Sequence, residues 1–318
     1  MHDQQVPRLC VLAVTPLLTV TVEPGRGPEA DVHVHAGGQG LWVARMARSL
    51  GAEVVLCGPF GGETGDVVAH LVARERIEVR PTPYAGSNGA YVHDRRAGQR
   101  AEVARMAPSR LGRHELDDLY GTVLVAALDA DVVVLAGDDP AGTVPAEMFG
   151  RLAGDLRVAG RTVVADLSGQ ATREVLDPGV GVLKMSHVEM CEGGFADGDS
   201  PSRLVEGARR IVSRGVRAVV VSRAADATLV VTRRDAWEVT VPAVTTVEHR
   251  GAGDSMTAGI AVGLARGEDL LHAVRTGAAA GALNVTRRGL GTGRRDEIER
   301  FAEEIMTRRL GAGQEEDR

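Results

Sequence analysis

Aromatic side chains are nearly missing from this 318-residue chain: two Trp, three Tyr and four Phe make up 3% of it. A core must therefore be filled by Ala, Val and Leu, and a hydrophobic fraction of 44% is ample for that. Cysteine is scarce too. Cys10, Cys57 and Cys191 have neither the spacing of a zinc site nor that of a disulfide framework. A reduced, cytoplasmic setting is the simplest expectation. No apolar run approaches membrane-spanning length, and the opening MHDQQVPR has no apolar signal region. There is no concentrated basic stripe. The formal net charge is -6, and the Arg-rich pieces RRAGQR and TRRGLGTGRR are short, which excludes a nucleic-acid surface.

Glycine is abundant, at 40 residues, and suits a chain with many tight strand–helix turns. Apolar runs alternate with helical patterns. RLCVLAV, AEVVLCG, DVVVLAG, RTVVADLSG, GVLKMS and VRAVVVS read as buried strands, each set off by a helix. Continuous Val and Leu strands alternating with helices predict an α/β, three-layer fold: a mainly parallel sheet covered on both faces. Three segments break the rhythm. TVTVE (19–23) and DVHVH (31–35) alternate like half-exposed strands, and residues 89–103 read as a hairpin. They predict a small separate sheet able to cover a site. The tail GAGQEEDR is expected to be disordered.

Two glycine loops carry the chemistry. Near the C-terminus, RGAGDSMTAG places Gly251, Ala252, Gly253 and Asp254 at the start of an apolar helix. Alone, the string fits either a helix-start turn capped by Asp254 or an anion site with a carboxylate beside it. Near the N-terminus, AGGQGLWVARMARSLG places Gly37, Gly38 and Gly40 before an amphipathic helix. It is not a dinucleotide fingerprint, since Val43 stands where the last glycine would be, and RGAGD lacks the Gly-Lys-Ser/Thr of a P-loop.

In this order, AGGQG, CGPFGGETGD, VVADLSG, LKMSHVEM and RGAGDSMTAGIAVGL resemble the PfkB (ribokinase-like) carbohydrate kinases, nearest their phosphofructokinase-like and tagatose-phosphate-kinase-like branch. The resemblance implies one kinase domain over 1–310, with lid segments near 15–35 and 86–104. It implies transfer of the ATP γ-phosphate to a hydroxyl of a sugar or sugar-like acceptor. By resemblance Asp254 is the base, and the backbone of Gly251, Ala252, Gly253 and Asp254 is the anion hole. Asp254 is expected to stay ionised at its helix end. Glu189 matches the acidic residue that helps hold Mg2+ through water. Ser186, Ser222, Ala224 and Arg250 fall on the nucleotide side.

The acceptor side departs from the family pattern. Thr19 stands for an Asp that holds sugar hydroxyls, Gln39 for the lysine of the glycine loop, Trp42 for an Asn, and Asn88 for a lid Arg. With Gly37 and Gly38 these form the expected acceptor site. Trp42 fits equally an aromatic wall for the acceptor and a helix residue packed against the lid. Two lost cations predict a neutral acceptor and poor use of fructose phosphates, unless Arg45 or Arg105 substitutes. His33 and His35 share a lid face without a third metal ligand. The exposed lid face is a plausible homodimer contact. A non-catalytic binding protein of the same fold is the competing function.

Overall fold

The computed structural model describes residues 6–137, 142–287 and 289–311. The chain opens with β1 (Arg8–Leu12), β2 (Leu17–Pro24), β3 (Ala30–Gly37), α1 (Gln39–Ser49), β4 (Glu53–Phe60), α2 (Gly62–Arg74) and β5 (Glu78–Pro83). It continues through β6 (Gly89–Asp94), β7 (Ala101–Met106), α3 (Arg113–Leu128), β8 (Val132–Ala136), α4 (Glu147–Val158), β9 (Thr162–Asp166), α5 (Gly169–Glu174), β10 (Val182–Ser186) and α6 (His187–Glu192). Last come α7 (Pro201–Ser213), β11 (Ala218–Arg223), β12 (Asp226–Thr232), β13 (Ala236–Thr240), α8 (Ala252–Ala265), α9 (Leu270–Val285), α10 (Arg295–Glu303) and β14 (Met306–Leu310).

Ten strands form one sheet in the order β14-β13-β12-β11-β10-β9-β8-β1-β4-β5. It is parallel from β5 to β11 and antiparallel beyond. Alternate side chains feed two cores. Cys10, Leu12, Val133 and Leu135 belong to one, and Leu9, Val11, Val132 and Val134 to the other. Small residues let the covering helices approach closely. A Cβ on Gly259 of α8 would fall 2.5 Å from the Cα of Gly277 in α9. Strand order reverses between β1 and β8, and ligands of open α/β sheets bind beyond the carboxyl ends of strands at such a point.

The three rhythm-breaking segments form the second sheet, in the order β3-β2-β6-β7. It is mixed: β2 is antiparallel to β3 but parallel to β6. Register pairs Thr19 with His35 and Tyr91, and Thr21 with His33 and His93, giving one polar face. The other face carries Val20 opposite Val34 and Val92, and Val22 opposite Val32. The sequence did not foretell β14, a short, Arg-bearing strand at the sheet edge. Of the tail expected to be disordered, residues 312–318 lie outside the described residues.

Candidate active site

The glycine turn before α8 is built by one left-handed residue. Gly251, the N-cap of α8, has φ 74°, which a side chain would oppose. The turn leaves the first N–H groups of α8 without intrahelical acceptors, and the first closing bond runs from Ser255 N to Gly251 O at 2.9 Å. Asn284, fully buried in α9, clamps the loop from behind. Its Nδ2 donates to Arg250 O at 2.8 Å, and its Oδ1 accepts from Gly291 N at 2.9 Å.

Beneath the loop lies a buried charge cluster. Asp166 ends β9 and Lys184 lies in β10. Lys184 Nζ donates to both carboxylate oxygens, at 3.2 and 3.1 Å. Thr257, one turn along α8 from Gly253, donates its hydroxyl to Asp166 Oδ2 at 2.6 Å. Asp254 is buried beside this pair. Burial, then the charge of Asp166, push its carboxyl up to about 8, although Lys184 pulls the other way. The helix-end field expected to keep Asp254 ionised is thus outweighed by desolvation and a like charge. For Lys184, burial disfavours the ammonium, yet the carboxylates of Asp166, Glu189 and Asp254 outweigh it and hold its pKa above the usual lysine value.

Of the residues expected on the nucleotide side, Ser186 and Glu189 cap α6 reciprocally. Glu189 Oε2 accepts from Ser186 N at 2.6 Å, and Ser186 Oγ accepts from Glu189 N at 3.1 Å. One Glu189 oxygen is thereby tied to the protein. Ser222 pairs with Ser186 in the β10–β11 register, and Ala224 just beyond adopts φ 53°, a conformation glycine takes more readily. Arg250 is exposed, and its backbone N lies 3.4 Å from Glu248 Oε1.

Of the residues expected on the acceptor side, Gly37 and Gly38 are sites of close approach. A Cβ at Gly37 would meet Thr19 Oγ1 at 2.8 Å, and one at Gly38 would meet Thr15 O at 2.4 Å. Gln39 begins α1 with its Nε2 3.4 Å from Asp166 O, so this loop and the charge cluster are contiguous. Trp42 is half-buried, with its ring edge 3.8 Å from the Cβ position of Gly37 and its backbone packed under Gly291. Asn88 is not disposed as a substrate contact. It is 1% exposed, its Nδ2 donates to Pro16 O and Pro59 O, and its Oδ1 accepts from Gly61 N. Arg45 is equally committed: it makes a two-pronged pair with Glu75 at 2.5 and 2.6 Å and bonds to Ala36 O and Leu290 O. Arg105 pairs with Glu102 at 2.9 Å and covers the Tyr91 ring.

A pfkB family carbohydrate kinase model matches residues 16–297. The chain belongs to the pfkB family of carbohydrate kinases. It is 31% identical over 313 residues to ATP-dependent 6-phosphofructokinase isozyme 2 of Mycobacterium tuberculosis, covering 95% of this chain and 91% of that protein. It is 25% identical over 276 residues to Bacillus subtilis 1-phosphofructokinase, covering 87% and 89%. Escherichia coli phosphofructokinase-2, solved with potassium, superposes with a TM-score of 0.83 at 26% identity over 94% of this chain and 99% of that one. Arabidopsis thaliana ribokinase, solved with ribose and ATP, shares the fold at TM-score 0.74 and 19% identity, covering 94% and 99%.

This PfkB-family kinase is a phosphotransferase of a ribokinase-like α/β fold, and its family acts on carbohydrates with ATP. Sequence reasoning noted VVADLSG and LKMS as family-like strands and assigned no role to Asp166 or Lys184. The signal was present, since Asp166 ends an otherwise apolar strand and Lys184 is the lone charge in the middle of one. Cys10 and Cys57, distant in sequence, lie on neighbouring strands with their sulfurs 4.0 Å apart. Among the described residues no helix is long and apolar enough to cross a membrane.

Proposed function

We propose that this protein phosphorylates a hydroxyl of a sugar phosphate with ATP, and that Asp254 receives the hydroxyl proton. The observation that carries this is the Gly251–Asp254 turn at the start of α8, with its one carboxylate buried beside Lys184 and Asp166. The acceptor oxygen forms a bond to the γ-phosphorus as the bond to the bridging oxygen breaks. First-turn N–H groups of α8 bind the charge on the transferred group. The released proton passes to Asp254, whose raised pKa makes it a better-matched base than an ordinary aspartate. Lys184 neutralises Asp166 and so limits how far Asp254 is pushed toward the protonated form.

Ser186, Ser222 and Ala224 line the nucleotide side in this reading, while Arg250, first expected there, stands with its charge acting on the lid residues His93 and Arg100. Among the described residues no three His, Cys, Asp or Glu side chains converge as a metal cage. Glu189, with one oxygen tied to Ser186 N, fits a Mg2+ ion that arrives on the nucleotide phosphates through water. Such an ion supplies charge neutralisation at the phosphates.

A sugar phosphate replaces the neutral acceptor that Gln39 and Asn88 suggested. The named activities of the two phosphofructokinase relatives support it. Gly37, Gly38, Gln39, Trp42 and Thr19 line the acceptor side, with Trp42 as a wall. The valine face of the lid, with Val32 60% and Val34 45% exposed, suits a second copy of the chain. Three free cysteines, two of them buried, suit a reducing cytoplasm.

The test is a coupled assay with Mg2+ and ATP against fructose 6-phosphate, fructose 1-phosphate, unphosphorylated sugars and nucleosides. A phosphorylated sugar should exceed every unphosphorylated one in kcat/KM by at least about tenfold, the worth of one charge-assisted contact. Turnover confined to unphosphorylated acceptors would refute the assignment.

A further inference from the structure

The polar face of the lid carries an arrangement that the γ-phosphate transfer leaves unused. His93, in the middle of β6, is 3% exposed, and neither ring nitrogen has a hydrogen-bond partner. A buried imidazole with two empty nitrogens is costly, and native proteins fill such groups with a partner or a ligand. Around it stand cations from two parts of the chain. Arg95 and Arg100 come from the turn between β6 and β7, and Arg250 comes from the segment just before the anion loop. Glu102 faces His93 across the β6–β7 register.

The arginines differ in their commitments. Arg95 is engaged with Glu248 at 2.7 Å and approaches Glu23 at 3.9 Å, which ties the lid tip to the strap leading into α8. Arg100 and Arg250 have no ion-pair partner among the described residues, and the half-buried Arg100 has a buried Nε without a hydrogen bond. Their charges act on each other and on His93. Burial, then Arg250 and Arg95, bring Arg100 down to about 10. Burial, then Arg100 and Arg250, bring His93 down to about 4. The half-buried Arg100 guanidinium and the empty His93 imidazole lack an anion, and the exposed Arg250 adds its charge to both. A phosphate group has the charge and the acceptor oxygens to satisfy all three at once.

We propose that His93, Arg100 and Arg250 form a phosphate-group site under the lid, and that this site holds the phosphate already carried by the acceptor. The lid thus supplies the cations that Gln39, Asn88 and Arg45 do not. The inference rests on the reading of the acceptor as a sugar phosphate. Its other source of the same chemistry is the phosphate chain of the nucleotide.

Imidazole NMR of the full chain, with His93 assigned through His93→Gln, tests the site directly. Inorganic phosphate and fructose 6-phosphate should each move the His93 nitrogens toward the protonated form near neutral pH, and fructose should not. The Arg100→Gln variant should lose that response. It should also raise KM for the phosphorylated acceptor by about ten- to a hundredfold, while KM for ATP moves far less. A His93 response to a non-hydrolysable ATP analogue with Mg2+ but not to fructose 6-phosphate would assign the site to the nucleotide and overturn the proposal. Turnover of fructose phosphates with no His93 response and no KM change in Arg100→Gln would remove the site and leave the proposed activity standing. A phosphate response without turnover of any sugar phosphate would keep the anion site but overturn its assignment to the acceptor, along with that activity.

Discussion

The Lys184 ammonium occupies the space where a side chain on Gly253 would begin: a Cβ there would stand 2.6 Å from Nζ. Lys184 cannot swing away freely, because both Asp166 oxygens hold it and it is only 5% exposed. The second glycine of the loop is therefore a requirement of the buried pair below it, apart from any need of a ligand. Gly253→Ala should cost about 1–3 kcal/mol, as overpacking does, and lower kcat by displacing the ammonium. Lys184→Met should cost about 3–5 kcal/mol, because it leaves Asp166 and Asp254 buried without a countercharge. Denaturant unfolding and steady-state kinetics of both variants check this. A Gly253→Ala protein with unchanged stability and kcat would show that Lys184 is not held.

Asp254 predicts a pH dependence in both rate and stability. A base must be deprotonated, so log(kcat/KM) for the acceptor should rise with unit slope toward a plateau near pH 8 in the free enzyme. An ordinary aspartate would give a plateau from about pH 4 upward. Asp254→Asn should lower kcat by about a hundred- to ten-thousandfold. In stability the sign is opposite to the usual carboxylate. The folded pKa lies above the unfolded one, so the folded state binds more protons, and this group's contribution declines as pH rises from about 4 to about 8. Asp254→Asn should therefore raise Tm more at pH 8 than at pH 5. Equal Tm changes at the two values would contradict the raised pKa.

Ala224 holds φ 53° at the turn after β11. A left-handed conformation costs a non-glycine residue about 1–2 kcal/mol, and glycine returns part of that gain through its greater chain entropy. Ala224→Gly should stabilise the protein by about 0.5–1 kcal/mol. Exposed Arg76, at φ 57°, gives an independent position of the same kind at the end of α2. Denaturation midpoints of Ala224→Gly and Arg76→Gly should both rise. A fall in either would mean that its side chain makes contacts worth more than the backbone strain.

Val32 and Val34 project from the outer face of β3 beside Val20 and Val22. If that face joins two copies, Val34→Lys should shift the protein to monomer and leave the fold intact, because one lysine on each side places like charges in an apolar contact. Sedimentation at micromolar concentration reads the outcome. A wild-type monomer, or a variant that sediments as the wild-type oligomer does, would remove the lid face as the contact.

Periodicity alone set out the layers of this molecule. Apolar Val and Leu runs of strand length, each set off by a helix, read as buried strands, and the two-residue alternation at 19–23 and 31–35 reads as a second sheet, although both faces of residues 31–35 are exposed. The GAGD turn was legible too, because a left-handed residue before a helix demands glycine at 251. Residue identity could not say which cations are available. Arg45 looked like a spare charge until folding spent both prongs on Glu75, and Asn88 looked like a lid contact until three backbone groups enclosed it. Nor could sequence place Asp166, Lys184 and Asp254 together, for they come from β9, β10 and α8, and only the parallel order of the sheet brings them into one dry volume. Composition and period are local and survive in the linear chain. Electrostatics depends on burial and on neighbours distant in sequence, so the ionisation of Asp254 and the commitment of Arg45 to Glu75 and of Arg95 to Glu248 were decided by the tertiary structure.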